Sequence, residues 1–167
     1  KVKKIDILVN NAGNVLKRIN FSKTNLKFWN RSINLNLISP IILTNKLLPL
    51  ILKSSKPVII NISSIASKSG GAPDSIHYGV SKAGLNGFTK GLSAINKKLR
   101  VVGVAPSIID TDFQKKHSNK KRIKKIIQET PIGRIGTTKD VSNLVFFLTS
   151  DNAAYISGET IFITGGR

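Results

Sequence analysis

Residues Ile5 to Gly13 read IDILVNNAG, a short apolar, β-branched run cut off by two asparagines, an alanine and a glycine. Such a run reads as a buried strand entering a turn. Val58 to Ser63 (VIINIS), opened by Pro57, repeats the pattern. So do Leu99 to Ala105 (LRVVGVA), ended by Pro106, and Glu159 to Thr164 (ETIFIT). Between the first two strands, Phe28 to Leu52 carries Ile33, Leu37, Ile41, Leu48 and Ile51 at helical spacing. Pro40 and Pro49 predict a kink or a split in it. Ser67 to Ser75 reads as a Gly/Ser/Pro loop. Tyr78 to Asn96 is a second helix, with Ala83, Leu85, Phe88, Leu92 and Ile95 available to face a core. Phe113 to Glu129 is a basic, mobile helix, and Asp140 to Ser150 is a further helix with Thr138 as its N-cap. Strands alternating with helices are the pattern of parallel βαβ units. The expected fold class is therefore α/β: one doubly wound parallel sheet with helices on both faces, a single domain over residues 1–167, without repeat or linker. Ligands of such sheets sit beyond the carboxyl ends of the strands, so chemistry is expected at the turns after Asn10, Ser63 and Ala105.

Composition narrows the function. Hydrophobic residues make up 40% and charged residues 21% of the 167 positions, ordinary globular usage that argues against disorder, collagen and coiled coil. No apolar stretch approaches ~20 residues, so no membrane span is expected. The basic and then apolar start is interrupted at Asn10 and Asn11, too early for a signal peptide. With no cysteine there is no disulfide frame and no thiolate metal site, and a reducing, cytoplasmic compartment is allowed. His77 and His117 are too few for a zinc centre, so no metal is expected. The chain contains 27 Lys plus Arg against 8 Asp plus Glu, a net charge of +19, which raises nucleic acid as a partner. The lysines are spread through the chain, however. The one dense cluster, Lys115 to Lys125 (KKHSNKKRIKK), has no interleaved Phe, Tyr or Trp to stack on bases. A solvated basic helix is the better reading, and nucleic acid is not the expected partner.

Tyr78-Gly79-Val80-Ser81-Lys82 opens the middle helix, and residues four apart share a helical face. An ammonium near a phenol favours phenolate, lowering a pKa that is about 10 when unperturbed. Tyr78 would then exchange a proton as a general acid or base. Taken alone, Y-x-x-x-K is also what a surface tyrosine packed on a lysine stem looks like. Ser63-Ser64 ends the preceding strand, where a hydroxyl either donates to a substrate carbonyl oxygen or satisfies backbone groups of the turn. Asn10-Asn11-Ala12-Gly13 ends the first strand, and its glycine admits close approach of a ligand or simply makes a turn.

Together these residues resemble the short-chain dehydrogenase/reductase family. The resemblance covers essentially all 167 positions: NNAG (Asn10 to Gly13), a Ser-Ser strand end, Y-x-x-x-K beginning fourteen residues beyond Ser64, a later Pro followed by Ile-Ile-Asp-Thr, and the tail from Gly133 to Gly166. Among subfamilies it is most similar to bacterial 3-oxoacyl-[acyl-carrier-protein] reductases of fatty acid biosynthesis, with sugar and polyol dehydrogenases next. The resemblance implies a Rossmann-like fold and an NAD- or NADP-dependent oxidoreductase that reduces a ketone to a secondary alcohol, or the reverse. The substrate would be a small or acyl-carrier-bound carbonyl compound, and the enzyme a homo-oligomer, dimer or tetramer.

By the same resemblance Tyr78 is the catalytic acid in reduction, Lys82 lowers its pKa and holds the nicotinamide ribose, and Ser64 orients the carbonyl. Asn36, favoured over Asn34 by counting from Trp29, holds a water in the proton relay. Asn10, Ala12 and Gly13 flank the adenosine part of the cofactor. Ile109 and Thr111, with Pro106 beside them, grip the nicotinamide carboxamide. The segment after Thr111 is the substrate lid, whose basic cluster would attract an acidic or phosphorylated carrier.

The departures carry expectations of their own. No T-G-x-x-x-G-x-G turn is present, and such a turn seats a dinucleotide pyrophosphate on a helix N-terminus. By comparison with the family about eighty leading residues would carry that turn and the NAD-versus-NADP discriminator, and the absence of any methionine agrees. The chain is thus expected to be the C-terminal two-thirds of the family domain, with its first strand an unpaired apolar edge and its own hold on the cofactor weak. A truncated, non-catalytic remnant is the competing reading. Ser107 stands where the family usually has glycine, and its side chain is expected to crowd the nicotinamide or to need an unusual backbone angle.

Overall fold

The computed structural model describes residues 2–167, the side chain of Lys115 excepted. Four strands, β1 (Ile7–Asn10), β2 (Val58–Ile62), β3 (Arg100–Pro106) and β4 (Thr160–Ile163), form one sheet in chain order, every pair parallel. The helices are α1 (Leu26–Ile33), α2 (Ser39–Ile51), α3 (Ala66–Ser69), α4 (Ile76–Leu92), α5 (Asp112–His117), α6 (Lys120–Glu129) and α7 (Thr138–Thr149).

Alternate side chains of β2 explain why helices cover both faces. Val58 and Ile60 point into a cluster with Val102, Val104 and Leu148, closed by Val141, Leu144 and Val145 of α7. Ile59 points the other way, to Val101, Leu99 and Ile51, closed by Leu47 and Leu48 of α2 and Leu92 of α4. Burying each such aliphatic side chain contributes about 1.5–3 kcal/mol. This is the doubly wound arrangement expected from the strand–helix alternation.

Several boundaries differ from the sequence reading, each for a local reason. The first long helix begins at Leu26, because the side chain of Asn25 accepts the Phe28 N–H at 2.9 Å and caps it. Its interruption falls at a π-helical turn over Asn34–Ile38, upstream of the prolines, where the Ser39 N–H reaches back to the Asn34 carbonyl. Pro40 then lies in the first turn of α2, where a missing N–H is tolerated, and α2 continues past Pro49. The loop after β2 contains the short α3, ended by Gly70 at φ 75°. The basic segment is two helices, not one: Asn119 breaks it and caps α6 by accepting the Arg122 N–H at 2.9 Å. The N-cap of α7 is Thr137, not Thr138. Thr137 Oγ1 accepts the Asp140 N–H, Asp140 Oδ2 accepts the Thr137 N–H at 2.7 Å, and Arg134 forks onto the same carboxylate at 2.8 and 3.0 Å.

The helical run Leu26–Ile51 is 26 residues long and contains an 18-residue window of mean hydropathy 1.2, enough by length and composition alone to cross a bilayer. One face of it buries the polar side chains of Ser32, Asn36 and Thr44 and packs against β1 and α4, while Leu26, Ile38, Ile42 and Leu43 are exposed. Strand β1 is an edge of the sheet among the described residues, with Ile7 and Val9 47% and 41% exposed, the edge expected by comparison with the family and not the buried strand that its apolar run suggests.

Thr137→Ala removes the reciprocal cap of α7 and is expected to cost about 1 kcal/mol. Thr138→Ala, whose side chain makes no cap, is expected to cost less than about 0.5 kcal/mol. Denaturant midpoints of the two variants check this.

Candidate active site

The turns that follow β1, β2 and β3 open onto one cleft of ≈ 550 Å³. Ser64, Tyr78 and Lys82 line it together, which the chain achieves by setting α4 across the carboxyl end of β2. Lys82 is buried, and its Nζ donates to the carbonyl of Ile62, the last residue of β2, at 2.7 Å. Its ammonium lies 5.8 Å from the centroid of the Tyr78 ring, one helical turn earlier. Burial pushes the Tyr78 phenol up to about 12, opposed by a hydrogen bond with Ser64, and pushes the Lys82 ammonium down to about 8. The expected lowering of the tyrosine by the lysine is therefore not what this arrangement produces. Burial dominates the phenol, and the hydrogen bond with Ser64 opposes it only in part. Near neutral pH Tyr78 is a neutral phenol, the form that donates a proton.

The two serines separate. Ser63 Oγ donates to the Lys82 carbonyl at 3.2 Å, serving the backbone, while Ser64 faces Tyr78. Asn36 is fully buried, whereas Asn34 is exposed. The Asn36 amide donates to the carbonyls of Asn14 and Ser32, both at 2.9 Å, and its Oδ1 accepts the Asn14 N–H at 2.8 Å. Both amide hydrogens are thus spent on backbone. Asn36 clamps the loop after β1 and is not among the residues that line the cleft.

Gly13 does line the cleft. A Cβ there would meet Asn36 Oδ1 at 3.0 Å and Lys82 Nζ at 3.2 Å, so glycine is what lets the turn close over the lysine. Asn10 is not brought to the cleft. Its Nδ2 donates to Asn61 Oδ1 at 2.8 Å and to Thr44 Oγ1 at 3.0 Å, inside the core. Ala12 is exposed, between the cleft residues Asn11 and Gly13. Pro106, Ile109 and Thr111 all line the cleft, with the Thr111 hydroxyl donating to the Ile109 carbonyl at 3.2 Å. Ser107 also lines it and lacks a positive φ, so serine fits this backbone without the unusual angle expected of it.

Sequence reading missed Asn14, whose main chain holds Asn36, and the buried amide of Asn61, which donates to Thr89 Oγ1 at 2.9 Å. An asparagine inside the otherwise apolar VIINIS was the available signal for the latter. It also missed Arg18 and Arg122 as cleft residues.

A family model described as enoyl-(acyl carrier protein) reductase matches residues 1–167. The chain belongs to the short-chain dehydrogenase/reductases. In this family it is 39% identical over 168 residues to the 3-oxoacyl-[acyl-carrier-protein] reductase of Rickettsia felis, a match covering 99% of this chain and 68% of the relative. It superposes on a short-chain dehydrogenase/reductase (glucose/ribitol dehydrogenase) of Brucella melitensis with a TM-score of 0.91 and 31% identity, over 98% of this chain and 65% of that one. A 3-oxoacyl-[acyl-carrier protein] reductase of the same organism, solved with bound NAD, aligns with a TM-score of 0.86 and 28% identity, over 97% and 62%. The chain thus spans about two thirds of the length of the family members it matches.

The buried lysine sets a pH dependence. Its pKa falls from 10.5 when unfolded to about 8 when folded, so between these values the unfolded chain binds more protons and stability rises with pH. The whole displacement is worth on the order of 3 kcal/mol. Tyr78, raised above its unfolded value, opposes the rise above about pH 10. Unfolding free energy followed from pH 7.5 to about 10 is expected to climb in the native chain, with that component missing in Lys82→Met.

Proposed function

We propose that this chain carries the proton-transfer half of an NAD- or NADP-dependent ketone reductase, acting on 3-oxoacyl groups linked to an acyl carrier. The observation that carries this reading is the convergence of Ser64, Tyr78 and buried Lys82 in one cleft at the strand ends. The residues there suit the nicotinamide end of the cofactor. Lys82 uses one of its three N–H donors on Ile62 and has others for ribose hydroxyls, and Ile109 and Thr111 border the same space. No glycine-rich pyrophosphate turn is part of this sequence. When bound, the cofactor supplies the hydride.

Everything else is the work of side chains. A substrate carbonyl oxygen accepts hydrogen bonds from Ser64 Oγ and the Tyr78 hydroxyl, which fix its orientation. As negative charge grows on that oxygen, both bonds strengthen, and the Tyr78 proton passes to it, leaving the alcohol. The resulting phenolate lies near the Lys82 ammonium, whose charge stabilises it in a desolvated site. The reverse sequence oxidises the alcohol. Asn36 acts at one remove, by holding Asn14 and the turn that borders Lys82.

The enzyme is read as a cytoplasmic homo-oligomer, dimer or tetramer. Ile42 and Leu43 on α2 and Val80 on α4 are apolar and 45–48% exposed, a surface suited to a second copy.

Tyr78→Phe keeps the ring and removes the proton, and is expected to lower ketone reduction by about 10²–10⁴-fold with an unchanged thermal midpoint. Unchanged turnover overturns the role given to Tyr78. Nicotinamide absorbance with a 3-oxoacyl thioester reads the turnover, and thermal denaturation reads the midpoint.

A further inference from the structure

The cleft is electrically one-sided. Among the described residues that line it are four cations, Arg18, Lys82, Arg122 and Arg167, and no carboxylate. Three of the four have acceptors. Lys82 donates to Ile62, and Arg167 reaches Glu129 at 3.3 Å. Arg18 donates through Nη1 to Asp74 at 2.9 Å and through Nε to the His117 carbonyl at 2.6 Å. Arg122 differs. Its Nε is enclosed and bonded to no acceptor among the described residues. Burial first, and then the charge of Arg18, lower its pKa, while the pull of Asp74 is already shared with Arg18. The enclosed Nε is costly to leave without an acceptor, while the half-buried guanidinium it belongs to borders the cleft and is the group best shaped to fork onto a carboxylate or phosphate.

We propose that the carbonyl substrate of this cleft carries an anionic group, a carboxylate or a phosphate, and that Arg122 on the lid helix α6 receives it beside Arg18. This rests on the reductase reading and adds the substrate class. Arg18 is a positioning residue: by bridging Asp74 and the His117 carbonyl it ties the loop after β1, the loop before α4 and the end of α5 together. The lid is thereby held where Arg122 faces the cleft that Tyr78 lines. A neutral polyol would offer Arg122 hydroxyl acceptors but no counter-charge.

The test is binding to the full chain, read by ligand-observed NMR with two kinds of matched pair. One is a series of straight-chain oxo acids of roughly four to ten carbon atoms, each against its methyl ester. The other is dihydroxyacetone phosphate against dihydroxyacetone. At least one anionic member is expected to bind about tenfold or more tightly than its neutral partner, and which pair shows it tells carboxylate from phosphate. Arg122→Gln is expected to abolish that preference and Arg122→Lys, which keeps the charge without the fork, to reduce it. Lys121→Gln, on the exposed side of α6, is expected to leave it intact. Equal binding within every pair overturns the proposal. So does a preference that survives in folded Arg122→Gln, or in Arg122→Lys if the glutamine variant does not fold. Weaker NADH binding by Arg122→Gln with the preference unaltered would assign the arginine to the cofactor pyrophosphate instead, and also overturns it. Tyr78→Phe separates the two readings, since it should stop turnover and leave the preference for the anion in place.

Discussion

The hydrogen bond from Lys82 Nζ to the Ile62 carbonyl is the constraint on which the site depends. A buried ammonium without an acceptor costs several kcal/mol, and here the acceptor is the last carbonyl of the central strand β2. Meeting it fixes how α4 lies across the sheet, and with that which way the helix face carrying Tyr78 looks. Ser64, two residues past Ile62, is then opposite the phenol. Two glycines make the approach possible. Gly13 leaves room for the lysine and Asn36, and Gly79 lets the Gly70 carbonyl rest directly on α4, where any Cβ would collide with it.

A second, wholly buried row of polar groups holds the elements behind the site. Thr44 of α2, Asn10 of β1, Asn61 of β2 and Thr89 of α4 are joined by three side-chain hydrogen bonds of 2.8–3.0 Å. Such a row specifies register more sharply than aliphatic packing where its members find one another; here only Asn10 Oδ1 of the row is left without a partner among the described residues. The carboxyl ends of β1 and β2 are thereby locked side by side at Asn10 and Asn61, which pair in the strand register. The amide residues in these strands stabilise the frame; the chemistry is carried by the residues just beyond.

Charge gives the cleft its remaining character. The phenol is kept neutral by desolvation, and the surrounding cations are only partly matched by carboxylates outside the cleft. A hydride-accepting carbonyl, whose oxygen becomes negative, and an anionic tail both suit this field. The chain-wide excess of lysine is a different matter. It lies mostly on solvated faces, where screening makes it weak.

The local code of this chain was sufficient for the class of fold. Val58 to Ile62, Val101 to Ala105 and the amphipathic run before Leu92 can bury themselves only as parallel strands with helices on both sides, because period and β-branching are properties of adjacent residues. Local spacing put Tyr78 and Lys82 on one helix face and a serine pair at a strand end, and it was the family resemblance that singled out Ser64 and grouped the three. Tertiary structure alone decided the rest. It turned Asn10 into the core and Asn36 onto the backbone of Asn14, because an amide takes whichever acceptors and donors the fold brings nearest. It placed the break in the first long helix at Asn34–Ile38. It also reversed the expected sign of the Tyr78 shift. Spacing shows that a lysine is near, but whether attraction or loss of water prevails is set by burial, which no short stretch of sequence contains.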